Sequence, residues 1–372
     1  MPPLDNLSQS KSFSMSLAAY SSSSIFFFGL LLFPAFSAGQ CGFVDRDGQI
    51  VVKPVYDSVH SFTMGYAAVE KNGKWGYIRV NGDVAIQPQF ESADYFSDGL
   101  AAVSIKEEGQ LKFGFIDKRG HFLIPPSYSQ VGWFEDGMAP VWFGKAFEDT
   151  SSGRPLWGFI DRAGAVVVIP KFNYAQSFSG GFAGVKVGDK WTFINQSGKM
   201  ISKPRFDAVF PFAEGVARIK LGKHWGFLGT DGTLTIEPSF ANVSDFSCGL
   251  ACVVSHRGII SVVDRSGKIR FETNNSPSDF SEGLARVGGE NGGFVDSSGK
   301  LVIKSQITLP FRDFHEGLAA IGKEGRFGFI DSRGKVAIPP RFADVLDFSE
   351  SRAAFSLKPM KWTAEIIDLD GR

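Results

Sequence analysis

The sequence predicts an all-β protein made of about nine tandem units of 34 residues, stacked in an open, curved superhelical array. Three observations lead to this fold class. A phenylalanine recurs at a fixed interval, with a glycine and an alanine at fixed positions after it. Short alternating or β-branched segments lie between turn signals. Glycine or proline interrupts every segment long enough for a helix. A closed β-propeller or toroid of the same units is the alternative.

The repeat is anchored on the motif Phe-x-x-Gly-x-Ala. Its first copy is Phe62, Gly65 and Ala67, and the ninth copy has Ser351 in place of the glycine. Successive anchors lie 34 residues apart, except for intervals of 38 and 44 on either side of Phe134. A period of this length identifies a tandem repeat of one supersecondary unit. The anchors are Phe62, Phe96, Phe134, Phe178, Phe212, Phe246, Phe280, Phe314 and Phe348.

Each unit contains three predicted strands, in the order B, C and A. Strand B reads Gly-Phe-Ile-Asp and ends in a turn where an acid or amide is followed three residues later by glycine, as at Asp117 and Gly120. The acid accepts backbone amides, and the glycine adopts the positive φ that follows. Strand C runs through Pro-x-Phe, and strand A is Leu-Ala-x-Val. Asn72-Gly73 predicts a two-residue hairpin between strands A and B.

The number of strands favours the open array. Nine B-C-A units and a tenth B strand at 366–368 make 28 strands. A closed ring needs whole blades, or a terminal strand that completes the first blade. The strand left over therefore indicates an open stack, with the tenth B strand as a partial cap.

The composite motif identifies a family resemblance. Over 41–372 the units resemble WG repeats, a widespread and mostly bacterial repeat family. The Trp-Gly pair is kept at Trp75-Gly76, Trp157-Gly158 and Trp225-Gly226, and it is lost at Ile260-Ser261. The resemblance implies a binding or scaffold array with no established chemistry.

The glycine inside strand B needs a reason, because glycine weakens a strand. We expect the aromatic ring of a neighbouring strand or unit to lie over it. Replacing Gly158 by valine should then lower the melting temperature strongly, and an unchanged melting temperature would contradict the close approach.

Residues 1–39 are predicted to form a serine-rich leader that contains a signal peptide. The apolar run at 25–36 is too short to span a bilayer but suits a signal-peptide core. Cleavage at Ala35-Phe36-Ser37 or Ser37-Ala38-Gly39 would release the array near Cys41, and Met15 is an alternative start. We expect export to a secreted, periplasmic or cell-surface location, with no transmembrane span in the mature chain. Organellar and cytoplasmic locations are the alternatives.

Two pairs of units depart from the repeat. In units two and three the linkers between strands A and B, 103–113 and 141–157, are longer by four and ten residues. Insertions in repeat arrays often lie on the binding face. Units seven and eight lack Pro-x-Phe, which predicts irregular stacking around 260–310.

The sequence predicts no enzyme, no metal site and no cofactor. With 39 Lys+Arg and 39 Asp+Glu there is no overall field to attract nucleic acid. The turn aspartates have no recurring partner carboxylate, and the five histidines occupy unrelated positions without metal-ligand spacing. Cys248 and Cys252 are interpreted as free thiols, with a disulfide or a two-ligand metal site as the alternative.

Three aromatic residues break the repeat columns in the units with enlarged linkers. Tyr95 and Trp133 stand just before the anchor phenylalanine, where other units have mostly serine or aspartate, and Trp142 follows strand A of unit three. Exposed Tyr and Trp are favoured contacts for proteins and sugar faces. Burial under the long linker is the alternative.

We therefore predict a non-catalytic scaffold for protein–protein interaction, with a binding face centred on units two and three. Tyr95, Trp133 and Trp142 are its predicted ligand-binding residues. A lectin-like or cell-wall glycan-binding module, using the same aromatic residues, is the alternative.

Overall fold

The computed structural model describes residues 40–144, 156–288, 292–304 and 310–358. These residues form thirty-three β-strands in nine small antiparallel sheets, and none of them lies in an α-helix. The sheets are the blades of a nine-bladed β-propeller. The all-β repeat is confirmed. The open superhelical array is wrong, and the closed ring that stood as its alternative is the observed arrangement.

The ring closes between the two ends of the repeat array. Strand β1 (Cys41–Val44) pairs antiparallel with β33 (Ala353–Ser356), and Gly42 lies opposite Phe355. The same register joins strands A and B inside the other blades. The first B strand therefore completes the blade that the ninth A strand begins. The strand count misled because it treated the first and last units as separate, and the tenth B strand at 366–368 lies outside the described residues.

Most blades have four strands rather than the expected three. The additional strand has two to six residues and precedes strand A, and we call it the leading strand. Six blades have the order leading strand, A, B, C across the sheet, and three blades have three strands. We number each blade by the unit that supplies its strand A.

The strand bounds follow the blades in order. Blades 1 to 3 consist of β3 (Ser58–Val59), β4 (Tyr66–Lys71), β5 (Lys74–Arg79) and β6 (Val84–Phe90); β7 (Ser92–Ser97), β8 (Leu100–Glu107), β9 (Gln110–Ile116) and β10 (Phe122–Tyr128); and β11 (Met138–Trp142), β12 (Trp157–Asp161) and β13 (Val166–Phe172). Blades 4 to 6 consist of β14 (Tyr174–Ala175), β15 (Phe182–Val187) and β16 (Lys190–Asn195); β17 (Ala208–Ala213), β18 (Val216–Leu221), β19 (His224–Gly229) and β20 (Leu234–Phe240); and β21 (Asn242–Val243), β22 (Leu250–Val254), β23 (Ile260–Asp264) and β24 (Ile269–Thr273). Blades 7 to 9 consist of β25 (Leu284–Val287), β26 (Gly293–Asp296) and β27 (Leu301–Lys304); β28 (Pro310–His315), β29 (Leu318–Lys323), β30 (Arg326–Asp331) and β31 (Val336–Phe342); and β32 (Asp344–Val345), β33, β1 and β2 (Ile50–Tyr56).

Strand C crosses the face of strand B at its glycine. A Cβ on Gly76 would lie 2.4 Å from the carbonyl oxygen of Ile86 and 2.6 Å from the nitrogen of Pro88. The expected close approach is confirmed, but the group that approaches is the backbone of strand C rather than an aromatic ring. At Gly158 a ring also comes near, and Phe143 Cε2 would lie 3.1 Å from the added Cβ.

The turns have the predicted chemistry. In the hairpin between Lys71 and Lys74, Asn72 and Gly73 have φ of 55° and 73°, as a type I′ turn requires. After strand B of blade 2, Asp117 Oδ1 accepts the amides of Arg119 and His121, both at 2.9 Å. The recurring aspartates therefore cap their own turns.

The hydrophobic core lies between consecutive blades. The strand-B aromatic residue of one blade packs on the anchor phenylalanine of the next, as Phe115 does on Phe134 with ring centroids 4.7 Å apart. Phe43 and Phe62 make the same contact at 4.7 Å across the closure between blades 9 and 1. The ring is therefore continuous in packing as well as in hydrogen bonding.

Two predicted regions fall partly or wholly outside the described residues. The leader at 1–39 and the central part of the long linker, 145–155, are among them. The irregular region predicted around 260–310 includes blade 7, whose sheet has three strands.

Candidate binding surface on blades 2 and 3

The residue before each anchor phenylalanine has an equivalent place in every blade. We call this place the pre-anchor position. In blades 6 and 8 it holds Asp245 and Asp313, each facing an arginine on strand A of the preceding blade. Arg218 Nε lies 2.5 Å from Asp245 Oδ1, and Arg286 Nε lies 3.4 Å from Asp313 Oδ1. Blades 6 to 9, all with aspartate at this position, are here called the ionic sector.

The polar residues at the pre-anchor position are buried or half-buried rather than exposed. Asp313 is only 4% exposed and also accepts the hydroxyl of buried Ser278 at 2.5 Å. Burial raises the pKa of Asp245, and the charge of Arg218 opposes this rise. Asp347 lies 3.7 Å from Arg312 and 3.8 Å from His315. These aspartates are held by ion pairs between blades.

Tyr95 occupies the pre-anchor position of blade 2 and belongs to an aromatic stack. Its ring lies 4.9 Å from that of His60, nearly parallel at 21°, and His60 lies 4.8 Å from Trp75. Burial lowers the pKa of His60 to about 4, so its imidazole is neutral at pH 7. Burial likewise raises the pKa of the Tyr95 hydroxyl. Tyr95 is half-buried. Blades 1 to 3, which hold this stack and Trp133, are here called the aromatic sector.

Trp133 occupies the same position in blade 3 and is also half-buried. Its Nε1 donates to Glu135 Oε2 at 3.2 Å. Desolvation raises the pKa of Glu135, and the bond from Trp133 opposes this rise. The structure therefore places Tyr95 and Trp133 at equivalent points on neighbouring blades.

Trp142 lies elsewhere. It ends β11 opposite Trp157 and packs against the core shared by blades 3 and 4. The structure does not bring Trp142 together with Tyr95 and Trp133 at one repeat position.

Asp94, beside Tyr95, is a buried carboxylate in the aromatic sector. Its Oδ1 accepts the amide of Tyr95 at 2.8 Å, and its carbonyl accepts the Tyr77 hydroxyl at 2.7 Å. Among the described residues no cation pairs with it. Burial raises its pKa to about 6.

An exposed apolar surface lies on strand C of blades 2 and 3, and the sequence analysis missed it. The exposed side chains are Leu123, Val166, Val167 and Ile169, with Ile169 the most exposed at 68%. A Cβ on Gly164, just before β13, would lie 3.4 Å from Ile124 of β10, so the turn that leads into β13 lies against β10. We call these four residues the apolar edge.

Alignment of the C strands gives the signal that could have found the apolar edge. The place of Ile169 is taken by Lys53, Gln87, Lys203 and Glu237 in blades 9, 1, 4 and 5, and all four are exposed. Blades 2 and 8 have exposed prolines there, Pro125 and Pro339, so among these blades Ile169 is the one β-branched residue at this exposed place.

Both C strands lie at the edge of their sheets. β13 is last in the order β11-β12-β13, and β10 stands at the end of the four-stranded sheet of blade 2. No strand in the described ranges pairs with their outer edges. An edge strand has unpaired amides and carbonyls that can hydrogen-bond to an added strand.

Exposed cations surround the apolar edge. Arg119, Arg162 and Lys171 are exposed on the same strands or the turns that lead into them. Asp117 and Asp161 lie in those turns, but each uses Oδ1 to accept two backbone amides of its own turn. The surface thus joins apolar residues to a basic rim.

Cys248 and Cys252 are free thiols, so the disulfide alternative is wrong. Cys248 is exposed, whereas Cys252 is buried with Sγ 3.6 Å from Ser276 Oγ. Burial raises the pKa of Cys252. Within the described parts of the chain no three His, Cys, Asp or Glu side chains come together as metal ligands. No helix capable of crossing a membrane is found there either.

Comparison with known proteins gives one family and several distant structures. A family model described as "WG containing repeat" matches residues 42–75, 75–107, 113–141, 157–191, 191–223, 225–255, 293–326 and 327–358. No curated protein sequence matches the chain.

Three solved structures are similar to the chain at low TM-scores. BamB from Moraxella catarrhalis is 11% identical over 85% of this chain and 96% of its own, with a TM-score of 0.37. Sqt1 from Saccharomyces cerevisiae is 10% identical over 81% of this chain and 92% of its own, with a TM-score of 0.33. The WD40 β-propeller domain of Doa1 is 13% identical over 73% of this chain and 95% of its own, with a TM-score of 0.29.

Proposed function

This chain belongs to the WG repeat family, and we propose that it is a non-catalytic scaffold that binds a protein partner along the apolar edge of blades 2 and 3. The observation that carries the proposal is the exposure of Leu123, Val166, Val167 and Ile169 on two neighbouring edge strands. Contiguous apolar exposure of this kind is typical of interaction sites.

The backbone favours an extended partner segment. β13 has one unpaired edge among the described residues, and its exposed side chains lie on a strand rather than in a pocket. A strand added to a sheet edge gains backbone hydrogen bonds, and its alternate side chains supply specificity. The partner segment would therefore carry alternating β-branched or aromatic residues.

The basic rim favours acidic residues next to that segment. Arg162 precedes β13 and Lys171 lies within it, and both are exposed. Opposite charges on the partner would steer association and fix the register of the added strand.

Of the three aromatic residues singled out in the sequence, Tyr95 and Trp133 stay in the proposal as secondary contacts. Each is half-buried in the same two blades. Trp142 packs against the core between blades 3 and 4, so we assign it no contact with the partner.

Selection from a phage-displayed library of random peptides on the full chain tests the proposal. We expect peptides with alternating apolar residues and acidic flanks. Replacing Ile169 by aspartate should weaken their binding roughly 10- to 100-fold, the equivalent of about 1.5–3 kcal/mol for one buried aliphatic side chain. Lys53→Asp, at the same place in blade 9, is the matched control and should leave binding unchanged.

Two results would contradict the proposal. One is selected peptides that bind Ile169→Asp as tightly as the wild type. The other is glycan-array binding that is lost in Trp133→Ala while no peptide is selected, which would favour the lectin-like alternative.

A further inference from the structure

Two histidines come together on neighbouring blades. The five histidines occupy unrelated positions in the repeat, which gave no reason to expect a pair. In the structure, however, His224 and His256 are in contact. His224 begins β19 of blade 5, and His256 follows β22 of blade 6. They are 32 residues apart, close to one repeat, so the ring places them side by side. Both side chains are exposed.

The two imidazoles meet through their nitrogens. His224 Nδ1 lies 2.8 Å from His256 Nε2, and the ring centroids are 4.7 Å apart with planes at 81°. A hydrogen bond between ring nitrogens needs one N–H and one lone pair. If the donating imidazole instead carries its proton on its other ring nitrogen, both facing nitrogens present lone pairs and can bind a metal ion.

The spacing fits a metal chelate. Imidazole nitrogen binds Zn²⁺ and similar transition-metal ions at about 2.0–2.1 Å. Two cis nitrogen ligands of a square-planar or octahedral ion therefore lie about 2.9 Å apart. The observed separation is close to this value. A tetrahedral ion, which needs about 3.4 Å between nitrogens, would require the exposed rings to separate slightly.

We propose that His224 and His256 bind a late divalent transition-metal ion, with water in its remaining positions, and that the ion bridges blades 5 and 6. Imidazole is a ligand suited to Cu²⁺, Ni²⁺ and Zn²⁺, whereas Mg²⁺ and Ca²⁺ select oxygen. No third His, Cys, Asp or Glu joins the pair within the described chain, so the site is open and exchangeable.

Isothermal titration of the full chain, without a polyhistidine tag, tests this site directly. We expect one equivalent of Ni²⁺ or Zn²⁺, tighter binding of Cu²⁺, and no binding of Mg²⁺. His224→Ala and His256→Ala should each weaken Ni²⁺ binding roughly 10- to 100-fold, at least the loss caused by removing an outer-shell partner. His121→Ala and Cys248→Ser are controls that should bind Ni²⁺ like the wild type.

The bridge between blades supplies a second readout. A ligand that binds only the folded state raises its melting temperature. Ni²⁺ should therefore raise the melting temperature of the wild type and of His121→Ala, but not that of His256→Ala. Circular dichroism of each variant checks that it is folded before titration. Equal Ni²⁺ affinity in the wild type and both histidine variants, or no heat with any transition ion, would overturn the proposal.

Discussion

The aromatic sector and the ionic sector of the ring use one backbone position for opposite purposes. At the pre-anchor position Tyr95 stacks on the neutral ring of His60, whereas Asp313 lies against Arg286 and Ser278. Both arrangements fill the same space between blades. The repeat therefore specifies where this side chain lies, and leaves its chemistry to vary from blade to blade.

The outer edges of the sheets differ in the same way. The place of Ile169 in blade 3 is taken by Lys203 and Glu237 in the next two blades. The residue before it is the buried Val168 in blade 3, and the half-buried Ser202 and Ile236 in the next two. The chemistry of this exposed column therefore varies from blade to blade.

The largest predicted effect is in the ionic sector. Replacing Arg218 by alanine should lower the free energy of unfolding by about 3–4 kcal/mol, because the half-buried Asp245 loses its partner. Urea unfolding measures this loss. Arg119→Ala, at an exposed arginine of blade 2, should change stability by no more than about 0.5 kcal/mol.

The double variant Arg218→Ala/Asp245→Ala sharpens this comparison. It should recover part of the stability lost in Arg218→Ala, since the unpaired carboxylate is gone. A loss in Arg218→Ala no larger than in Arg119→Ala would contradict the importance of the inter-blade pair.

The next effect is in the aromatic sector and depends on pH. Burial raises the pKa of Asp94 from 3.8 to about 6. Between these values the unfolded chain is ionised at Asp94 while the folded chain still holds the proton, so the folded state loses stability as pH rises. The corresponding stability is present below pH 4 and lost above pH 6. Asp94→Asn removes this loss and should be more stable than the wild type at pH 7 by up to about 3 kcal/mol.

Unfolding curves of both proteins between pH 4 and 7.5 check this prediction. The pKa of Asp344 is also raised to about 6, but Asp344 is present in both proteins, so their difference isolates Asp94. A difference that does not vary with pH would show that Asp94 is not buried in this way.

A smaller effect should distinguish residues within the apolar edge. Leu123 is 53% exposed and lies on β10, whereas Ile169 is 68% exposed on β13. We expect Leu123→Asp to weaken binding of the selected peptides by about 1 kcal/mol, less than Ile169→Asp, because β13 supplies the backbone hydrogen bonds. Fluorescence anisotropy measures both, and the reverse order would place the docking strand on blade 2.

The smallest predicted effect compares the closure with an ordinary interface between blades. Glu350 of blade 9 accepts the amide of Gly65 in blade 1 at 2.9 Å, and Glu282 of blade 7 accepts that of Gly317 in blade 8 at 2.8 Å. Alanine at either glutamate should cost the same, about 0.5–1.5 kcal/mol. A cost in Glu282→Ala with none in Glu350→Ala would indicate that blades 9 and 1 are not joined.

Local features of the fold could be predicted from the sequence because each depends on neighbouring residues. The Asn72-Gly73 hairpin and the Asp117 cap need only the conformations that these residues prefer. Closure of the ring depends on how β1 meets β33, more than 300 residues along the chain. No local sequence pattern predicts that contact, and the tenth B strand favoured an open array instead.

The residues predicted to bind a ligand and the residues of the apolar edge lie in the same two blades, but different signals point to them. Tyr95 and Trp133 take the place that aspartate has in blades 6 to 9, and both are half-buried. Ile169 is less conspicuous in sequence, since isoleucine is common in strands. Only its column of exposed polar residues shows that it does not belong to the core.

Hydrogen–deuterium exchange of the full chain, with and without a selected peptide, tests the docking surface most directly. The added strand should slow exchange of amides in 164–172, with a smaller effect in 121–126, because the peptide hydrogen-bonds to β13 and covers β10. The C strand of blade 9, 50–56, should exchange at the same rate in both samples. Protection confined to 92–97 and 131–134, around Tyr95 and Trp133, would contradict docking on the apolar edge.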